Sequence, residues 1–292
     1  MRSLLSSDLM RVLDRLSLGA PEDASGAHKG EYRSQSRGTS LEFSDYREYE
    51  PGDDYRYIDW NIYSRLDRLF VKVFTEERNR RLLLLVDCSD SMRIGDPPKE
   101  LYARQLAAAL GYVALRRGDE VRQAEVSTRL EWCTPWWRGR HRLPAFLRRL
   151  AQGETRGPTN LASALYSLGG DPSSRGRIAV LISDLFDRNW DAALSTLARW
   201  RGTSVLVHLL APVDWLFHER GELELRDAES GERLVVSVDD EAARLYAEAA
   251  RDWMREVRDR CHRLGIACYQ LDTSYPLRQL LVTTFREGGL LH

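Results

Sequence analysis

Arg81-Leu-Leu-Leu-Leu-Val86-Asp87-Cys88-Ser89-Asp90-Ser91-Met92 is the stretch on which the fold turns. Its unbroken apolar run, Leu82–Val86, has the form of a strand covered on both faces, as in a parallel sheet flanked by helices. Where the run stops, polar residues begin at once. Arg177-Ile-Ala-Val-Leu-Ile182 followed by Ser183-Asp184 repeats the pattern. Between the two, residues 99–117 are rich in Ala and Leu and closed by Gly118, which predicts a helix. Segments 120–127 and 129–133 are joined too tightly for anything but an antiparallel pair. Helices are expected at 141–152, 160–168 and 190–200, and a strand at 203–209. Residues 221–226 and 232–238 alternate around Glu229-Ser-Gly231, which marks a hairpin. Asp239 or Asp240 then caps a helix running to Leu264 and ended by Gly265. A strand at 266–271 and a helix at 276–287 finish the chain. The alternation predicts an α/β fold with a doubly wound, mostly parallel, Rossmann-like sheet.

Upstream, Leu4, Leu5, Leu9, Val12, Leu13 and Leu16 have helical spacing and predict a helix over 3–18 ending at Gly19. Residues 20–30 read as a loop. From Glu31 to about Arg80, aromatics interleave with charges. Leu41–Phe43 and Leu69–Phe74 read as short strands, with Pro51-Gly-Asp-Asp54 as a turn. The expected division is therefore 1–79, a helix with a small β-rich segment, and 80–292, the α/β domain with its inserted hairpin.

The 292 residues contain 43 basic and 44 acidic side chains, a net charge of −1, so no global field favours nucleic acid or an acidic membrane. Only Lys29, Lys72 and Lys99 are lysines. No apolar run approaches the roughly 20 residues of a membrane span, and Asp8, Arg11 and Asp14 interrupt the N-terminal apolar positions, unlike a secretion signal. The four cysteines have neither zinc nor redox spacing, which suits a reducing, cytoplasmic setting. A P-loop, G-x-S-x-G and H-E-x-x-H are all absent. Trp136-Trp-Arg-Gly-Arg-His-Arg142 joins aromatics to base, but one such patch on a neutral chain reads as a solvated rim. His208 and His262 lack metal-ligand spacing and read as structural.

In an open α/β sheet, ligands bind outside the carboxyl ends of the strands. Asp87, Ser89 and Ser91 leave the first buried strand at alternate positions and can line one pocket. Asp184 ends the second buried strand, and Arg156-Gly-Pro-Thr159-Asn160 opens a helix between them. Carboxylate and hydroxyl oxygens are hard ligands that suit Mg²⁺ or Mn²⁺. If neutral hydroxyls take inner positions, the ion stays electron-poor and open to an outside carboxylate. Alone, the first three residues read equally well as a polar turn; Thr159 and Asp184 decide for a metal site. Cys88 alternates away from Ser89 and reads as packing beneath the loop.

Asp87-x-Ser89-x-Ser91, Thr159 and Asp184 resemble the metal-ion-dependent adhesion site of von Willebrand factor A domains. In that family the serines and the threonine ligate the metal and the aspartates act largely through water. Residues Gly38–Trp60, with Glu42, Arg47, Tyr49, Pro51, Gly52, Asp53, Asp54, Arg56, Ile58 and Asp59, resemble the signature of the family called domain of unknown function fifty-eight. The likeness continues through the long helix, Gly265-Ile266 and Thr273-Ser-Tyr-Pro276-Leu277. Around Ala211-Pro212-Val213-Asp214 the family more usually has Asp-Pro-x-Glu. The resemblance implies a non-enzymatic, protein-binding adaptor or cochaperone, using Mg²⁺ (or Mn²⁺), beside a MoxR-type AAA+ ATPase or its client. Asp53, Asp54, Arg56 and Asp59 then read either as internally paired turn charges or as a docking surface. The alternative is a metal-dependent phosphoester hydrolase with Asp87 as nucleophile; such enzymes need a second acid two residues on, where this chain has Ser89.

Overall fold

The structure, a computed structural model, describes residues 4–19, 41–51, 53–76, 80–170, 177–200, 202–217 and 219–292. The expected loop over 20–30 and the start of the Gly38–Trp60 signature lie outside them. The chain divides into two compact units, residues 28–79 and residues 1–27 with 80–292.

In the order of the chain, the elements are α1 (Ser7–Leu13), β1 (Leu41–Glu48), α2 (Trp60–Leu66), β2 (Phe70–Glu76), β3 (Arg81–Asp87), α3 (Lys99–Arg117), β4 (Glu120–Val126), β5 (Leu130–Trp132), β6 (Trp137–Arg138), α4 (Leu143–Ala151), α5 (Leu161–Tyr166), β7 (Arg177–Ser183), α6 (Trp190–Leu197), β8 (Thr203–Leu210), β9 (Gly221–Arg226), β10 (Arg233–Val238), α7 (Asp240–Arg263), β11 (Ala267–Asp272), α8 (Leu277–Val282) and α9 (Thr284–Glu287).

In the large unit, one sheet has the order β11-β8-β7-β3-β4-β5, with β6 also pairing β4. The pairs among β11, β8, β7, β3 and β4 are parallel, and β5 and β6 run antiparallel to β4. Alternate residues of β3 serve the two faces. Leu82, Leu84 and Val86 join the core shared with α1, α3, α4, α8 and α9. Leu83 and Leu85 join the core under α5, α6 and α7. This is the doubly wound α/β arrangement that the strand pattern predicts.

The chain leaves β3 for β4 on one side and later returns to β7 on the other, so β3 and β7 flank the topological switch point. Their carboxyl ends diverge there into separate connections, which leaves a crevice. Asp87 closes β3, and Ser183-Asp184 closes β7, with Val86 in register with Ile182.

Three expectations change. The helix predicted over 3–18 ends at Leu13, and Leu18 instead bridges Leu291 antiparallel. The expected 1–79 division also fails, because Leu5, Leu9 and Leu13 bury themselves in the core of the large unit beside α3; apolar spacing shows that a helix has a buried face but not what covers it. The final helix breaks at Thr283 into α8 and α9. The expected hairpin forms as β9–β10, a two-stranded sheet separate from the central one.

In the small unit, β1 and β2 pair antiparallel. The sequence pattern does not predict the helix α2. Asp59 caps it, its Oδ1 accepting from the Asn61 and Ile62 amides at 2.9 and 3.3 Å while Oδ2 accepts from the Tyr46 hydroxyl at 3.1 Å. Asp53 pairs with Arg47 at 2.8 Å and Asp54 with Arg56 at 2.6 Å, so these charges have partners within their own segment.

The helix α3 is packed nearly all round, and Gly111 lets it approach α4: a Cβ there would lie 2.2 Å from the buried Phe146 ring. Glycine to alanine in a helix interior ordinarily stabilises by about 1 kcal/mol, whereas overpacking a tight core costs about 1–3 kcal/mol. Gly111→Ala is expected to lower the urea midpoint, and a raised midpoint would show that the two helices are not in close contact.

Candidate metal centre

Asp87 is 2% exposed and both its oxygens are engaged. Oδ1 accepts from the Ser89 amide at 2.9 Å and the Ser89 hydroxyl at 2.7 Å. Oδ2 accepts from the Ser183 hydroxyl at 2.5 Å, which ties the end of β3 to the end of β7. Ser89 Oγ lies 3.0 Å from Ser91 Oγ, both buried. Cys88 turns away, as alternation predicts, and its thiol donates to the Val126 carbonyl at 3.3 Å. Burial pushes that thiol up to about 12, which makes it a packing group and not a nucleophile.

The loop before α5 is stitched to the first loop through backbone. The Asp90 amide donates to the Gly157 carbonyl at 2.9 Å, and the Arg156 amide to the Cys88 carbonyl at 2.6 Å. The Arg93 guanidinium donates to the Thr155 hydroxyl and carbonyl at 2.5 and 2.7 Å. Gly157, at φ 65°, supplies the left-handed turn that brings Thr159 forward. Asp187, from the loop after β7, accepts from the Leu161 amide at 2.7 Å and so joins the third loop to the second. Thr159 Oγ1 is buried and has no hydrogen-bond partner.

Asp184 Oδ1 accepts from the Phe186 amide at 3.1 Å, and Oδ2 lies 2.7 Å from Lys99 Nζ. Lys99 is fully buried, and its Nζ also meets Asp214 Oδ2 at 2.8 Å and the Phe186 ring face at 4.6 Å. Leu185 is held at φ 57°, a conformation costly for a leucine, with its amide donating to Ser183 Oγ at 2.9 Å. Strain of this kind gathers at functional sites. Beneath, His208 donates through Nε2 to the Asp184 carbonyl at 3.1 Å while Nδ1 accepts from Gln270 at 3.3 Å. Burial holds its pKa down at about 4, so the imidazole is neutral, and with both nitrogens used it supports the site from below. The other histidine weighed from sequence, His262, is exposed on α7.

The charges do not balance. Asp87, Asp214 and Glu229 are all raised above the usual carboxylate range; burial is the first cause in each, and the charge of Asp184 adds to it in each. One ammonium, Lys99, stands among these four carboxyl groups. Among the described residues, no group of three His, Cys, Asp or Glu side chains converges to hold a metal. A cation would therefore need the hydroxyls. The unpartnered Thr159 Oγ1 and the Ser89–Ser91 hydroxyl pair are hard oxygens of the kind Mg²⁺ or Mn²⁺ takes, so the donor set fits. The same geometry is poor for phosphoester hydrolysis. Each Asp87 oxygen already accepts a hydroxyl hydrogen bond, and Ser89 cannot protonate a leaving group.

The loops thus bring Asp87, Ser89, Ser91, Thr159 and Asp184 to one end of the sheet. Lys99, Ser183, Asp214 and Glu229 share that end and were not singled out from sequence. Ser183 had a signal in its place beside Asp184, and Lys99 in being one of three lysines; Glu229, 70 residues from Thr159, had none. Removing the ammonium would leave two buried carboxylates unpaired, at a cost of about 3–5 kcal/mol. Lys99→Met is expected to lose stability on that scale in urea unfolding at neutral pH, and adding Asp214→Asn should restore part of it. A loss below about 1 kcal/mol would show that the lysine does not hold these charges.

Comparison with known proteins agrees with the signature residues. The uncharacterized protein Rv1480 of Mycobacterium tuberculosis is 29% identical over 264 residues, covering 86% of this chain and 81% of the relative. Among solved structures, the chain is similar to the conserved hypothetical protein BatB from Bacteroides thetaiotaomicron, at TM-score 0.43 and 13% identity over 71% of this chain and 98% of that one. It is also similar to a von Willebrand factor type A protein from Catenulispora acidiphila, at TM-score 0.42 and 15% identity, covering 75% of this chain and 43% of the other. The model of the family described as Protein of unknown function DUF58 matches residues 45–256, and the chain belongs to that family.

Proposed function

We propose that this protein is a non-enzymatic, divalent-cation-dependent binding module that captures a carboxylate of a partner protein at the β3–β7 crevice. The observation that carries the reading is Thr159 Oγ1, buried without a partner in a loop that is bonded through Gly157 to the loop of the paired Ser89 and Ser91 hydroxyls. A buried hydroxyl left unsatisfied costs about 1–3 kcal/mol. The cost is removed if the oxygen has a ligand to hold. Ser89, Ser91 and Thr159 would hold Mg²⁺ or Mn²⁺, while Asp87 and Asp184 would orient the shell through hydrogen bonds. The ion would supply a Lewis-acidic position for an outside Asp or Glu.

The chain's own residues prepare that position. Ser183 fixes the Asp87 carboxylate, whose other oxygen takes the Ser89 hydroxyl hydrogen, so the Ser89 oxygen would have a lone pair to offer an ion. Lys99 limits the negative charge near Asp184, which keeps an approaching carboxylate from being repelled. The shallow charge sum of the whole chain, −1, places recognition in this local site and not in a long-range field. The partner proposed from the family resemblance is a MoxR-type AAA+ ATPase or its client, with this protein as adaptor or cochaperone in the cytoplasm. No helix among the described residues is long and apolar enough to cross a membrane. In the aromatic and basic segment 136–142, Trp136 lies against Arg81 and Arg177 and Trp137 packs edge-on against Phe146, so both rings serve packing.

Isothermal titration with Mn²⁺ should find one site in the native chain and roughly tenfold or weaker affinity in Thr159→Val, which keeps the shape and removes the hydroxyl. Capture of a purified MoxR-type ATPase should be lost on adding EDTA. Equal Mn²⁺ binding by both chains would rule out this pocket, and an EDTA-resistant complex would point to ordinary surface docking.

A further inference from the structure

Glu229 sits at the tip of the β9–β10 hairpin and reaches back to the crevice. Its Oε2 accepts a hydrogen bond from the Thr159 amide at 3.0 Å. Its Oε1 is buried and has no hydrogen-bond partner, as is Thr159 Oγ1 of the same residue pair. A purely structural clamp explains the first oxygen and leaves the second without a function.

The rest of the hairpin is built as an arm. Among the described residues, its two strands pair only with each other. Most of their side chains are exposed, including Leu234 and Val235, and burial returns only at Val238, next to the α7 cap. The tip, in contrast, is stiff. Asp227 Oδ1 accepts from the Glu229 amide at 3.0 Å, the Ser230 amide at 2.6 Å and the Ser230 hydroxyl at 2.8 Å. Gly231, at φ 73°, closes the turn. A loosely held arm with a rigid tip delivers one carboxylate to one place.

We propose that Glu229 is a built-in ligand of the crevice, a carboxylate in cis that occupies the position offered to a partner's carboxylate, and that the hairpin is a latch a partner must displace. This rests on the metal-dependent reading above. It accounts for why an acidic side chain is carried up to the Thr159 loop with one of its oxygens buried and unpartnered. A divalent cation would give that oxygen a counter-charge. It also gives the site two states: closed, with Glu229 on the ion, and open, with the hairpin released and an external Asp or Glu in its place. An internal ligand lowers the apparent affinity of an external one by the fraction of time it occupies the site, so only a partner that also engages the arm or its surroundings binds well.

The test uses Mn²⁺ on the full chain, read by water-proton relaxation and by hydrogen exchange of residues 221–238. Native protein is compared with Glu229→Gln and with Glu224→Gln, an exposed position of the same hairpin paired only with Arg233. Mn²⁺ should slow exchange across the hairpin in the native chain and in Glu224→Gln but not in Glu229→Gln. The ion bound to Glu229→Gln should carry at least one more exchangeable water, which acetate removes, while acetate leaves the native relaxation unchanged. Mn²⁺ bound with the same hydration and the same hairpin exchange in all three proteins would overturn the latch and leave the metal site standing. No Mn²⁺ bound by the native chain would overturn the metal site and the latch together.

Discussion

The hydrogen bond from Ser183 to Asp87 joins the ends of two neighbouring parallel strands at the place where the chain changes direction across the sheet. Everything in the crevice is referred to it. One Asp87 oxygen is held from β7, so the other is free to fix Ser89, and Ser89 in turn sets the spacing to Ser91. The backbone bonds from Asp90 to Gly157 and from Arg156 to Cys88 then bring the Thr159 loop against the first loop without using the Thr159 hydroxyl. The fold thus fixes the hydroxyls through their carboxylate and backbone neighbours while leaving lone pairs unspent.

Charge is the second constraint. A buried carboxylate is tolerated only when paired, and here, among the described residues, Lys99 is the ion-pair partner of both Asp184 and Asp214, with Asp87 and Glu229 nearby. The ammonium stabilises the crevice without neutralising it. That residual negative charge, together with unsatisfied hydroxyl and carboxylate oxygens, distinguishes this strand end from an ordinary polar rim. The same crowding gives the Glu229 arm its meaning, since an acid among acids needs a counter-charge.

The central sheet was legible in the sequence because β3 and β7 are uniform apolar runs whose burial needs helices on both faces, and because Gly118 and Gly265 end their helices in left-handed turns. The placement of Asp87, Ser89, Ser91, Thr159 and Asp184 was legible because each follows a strand or precedes a helix in a fixed order. What escaped is what depends on tertiary contact. The leucines of α1 showed a buried face but not its partner, and α2 hides in a short segment of aromatic and polar residues whose only start signal is Asp59. Lys99 looked like the first residue of a helix, and only the folding of β7 and β8 over α3 shows that it is buried between two aspartates. Asp214 follows a strand and a proline turn with nothing local to mark it, and only the tertiary fold brings it onto Lys99. The hairpin could be recognised from its turn, but nothing local says that its tip folds back over Thr159.

The central claim is that the hydroxyls of Ser89, Ser91 and Thr159 enclose a divalent cation. The most direct measurement is a crystal structure grown with Mn²⁺, with data collected on both sides of the manganese absorption edge. The account predicts one anomalous peak among these three oxygens, with Asp87 and Asp184 in its outer shell. An anomalous map empty at that position at saturating Mn²⁺, or a peak bound only by exposed carboxylates elsewhere, would contradict it.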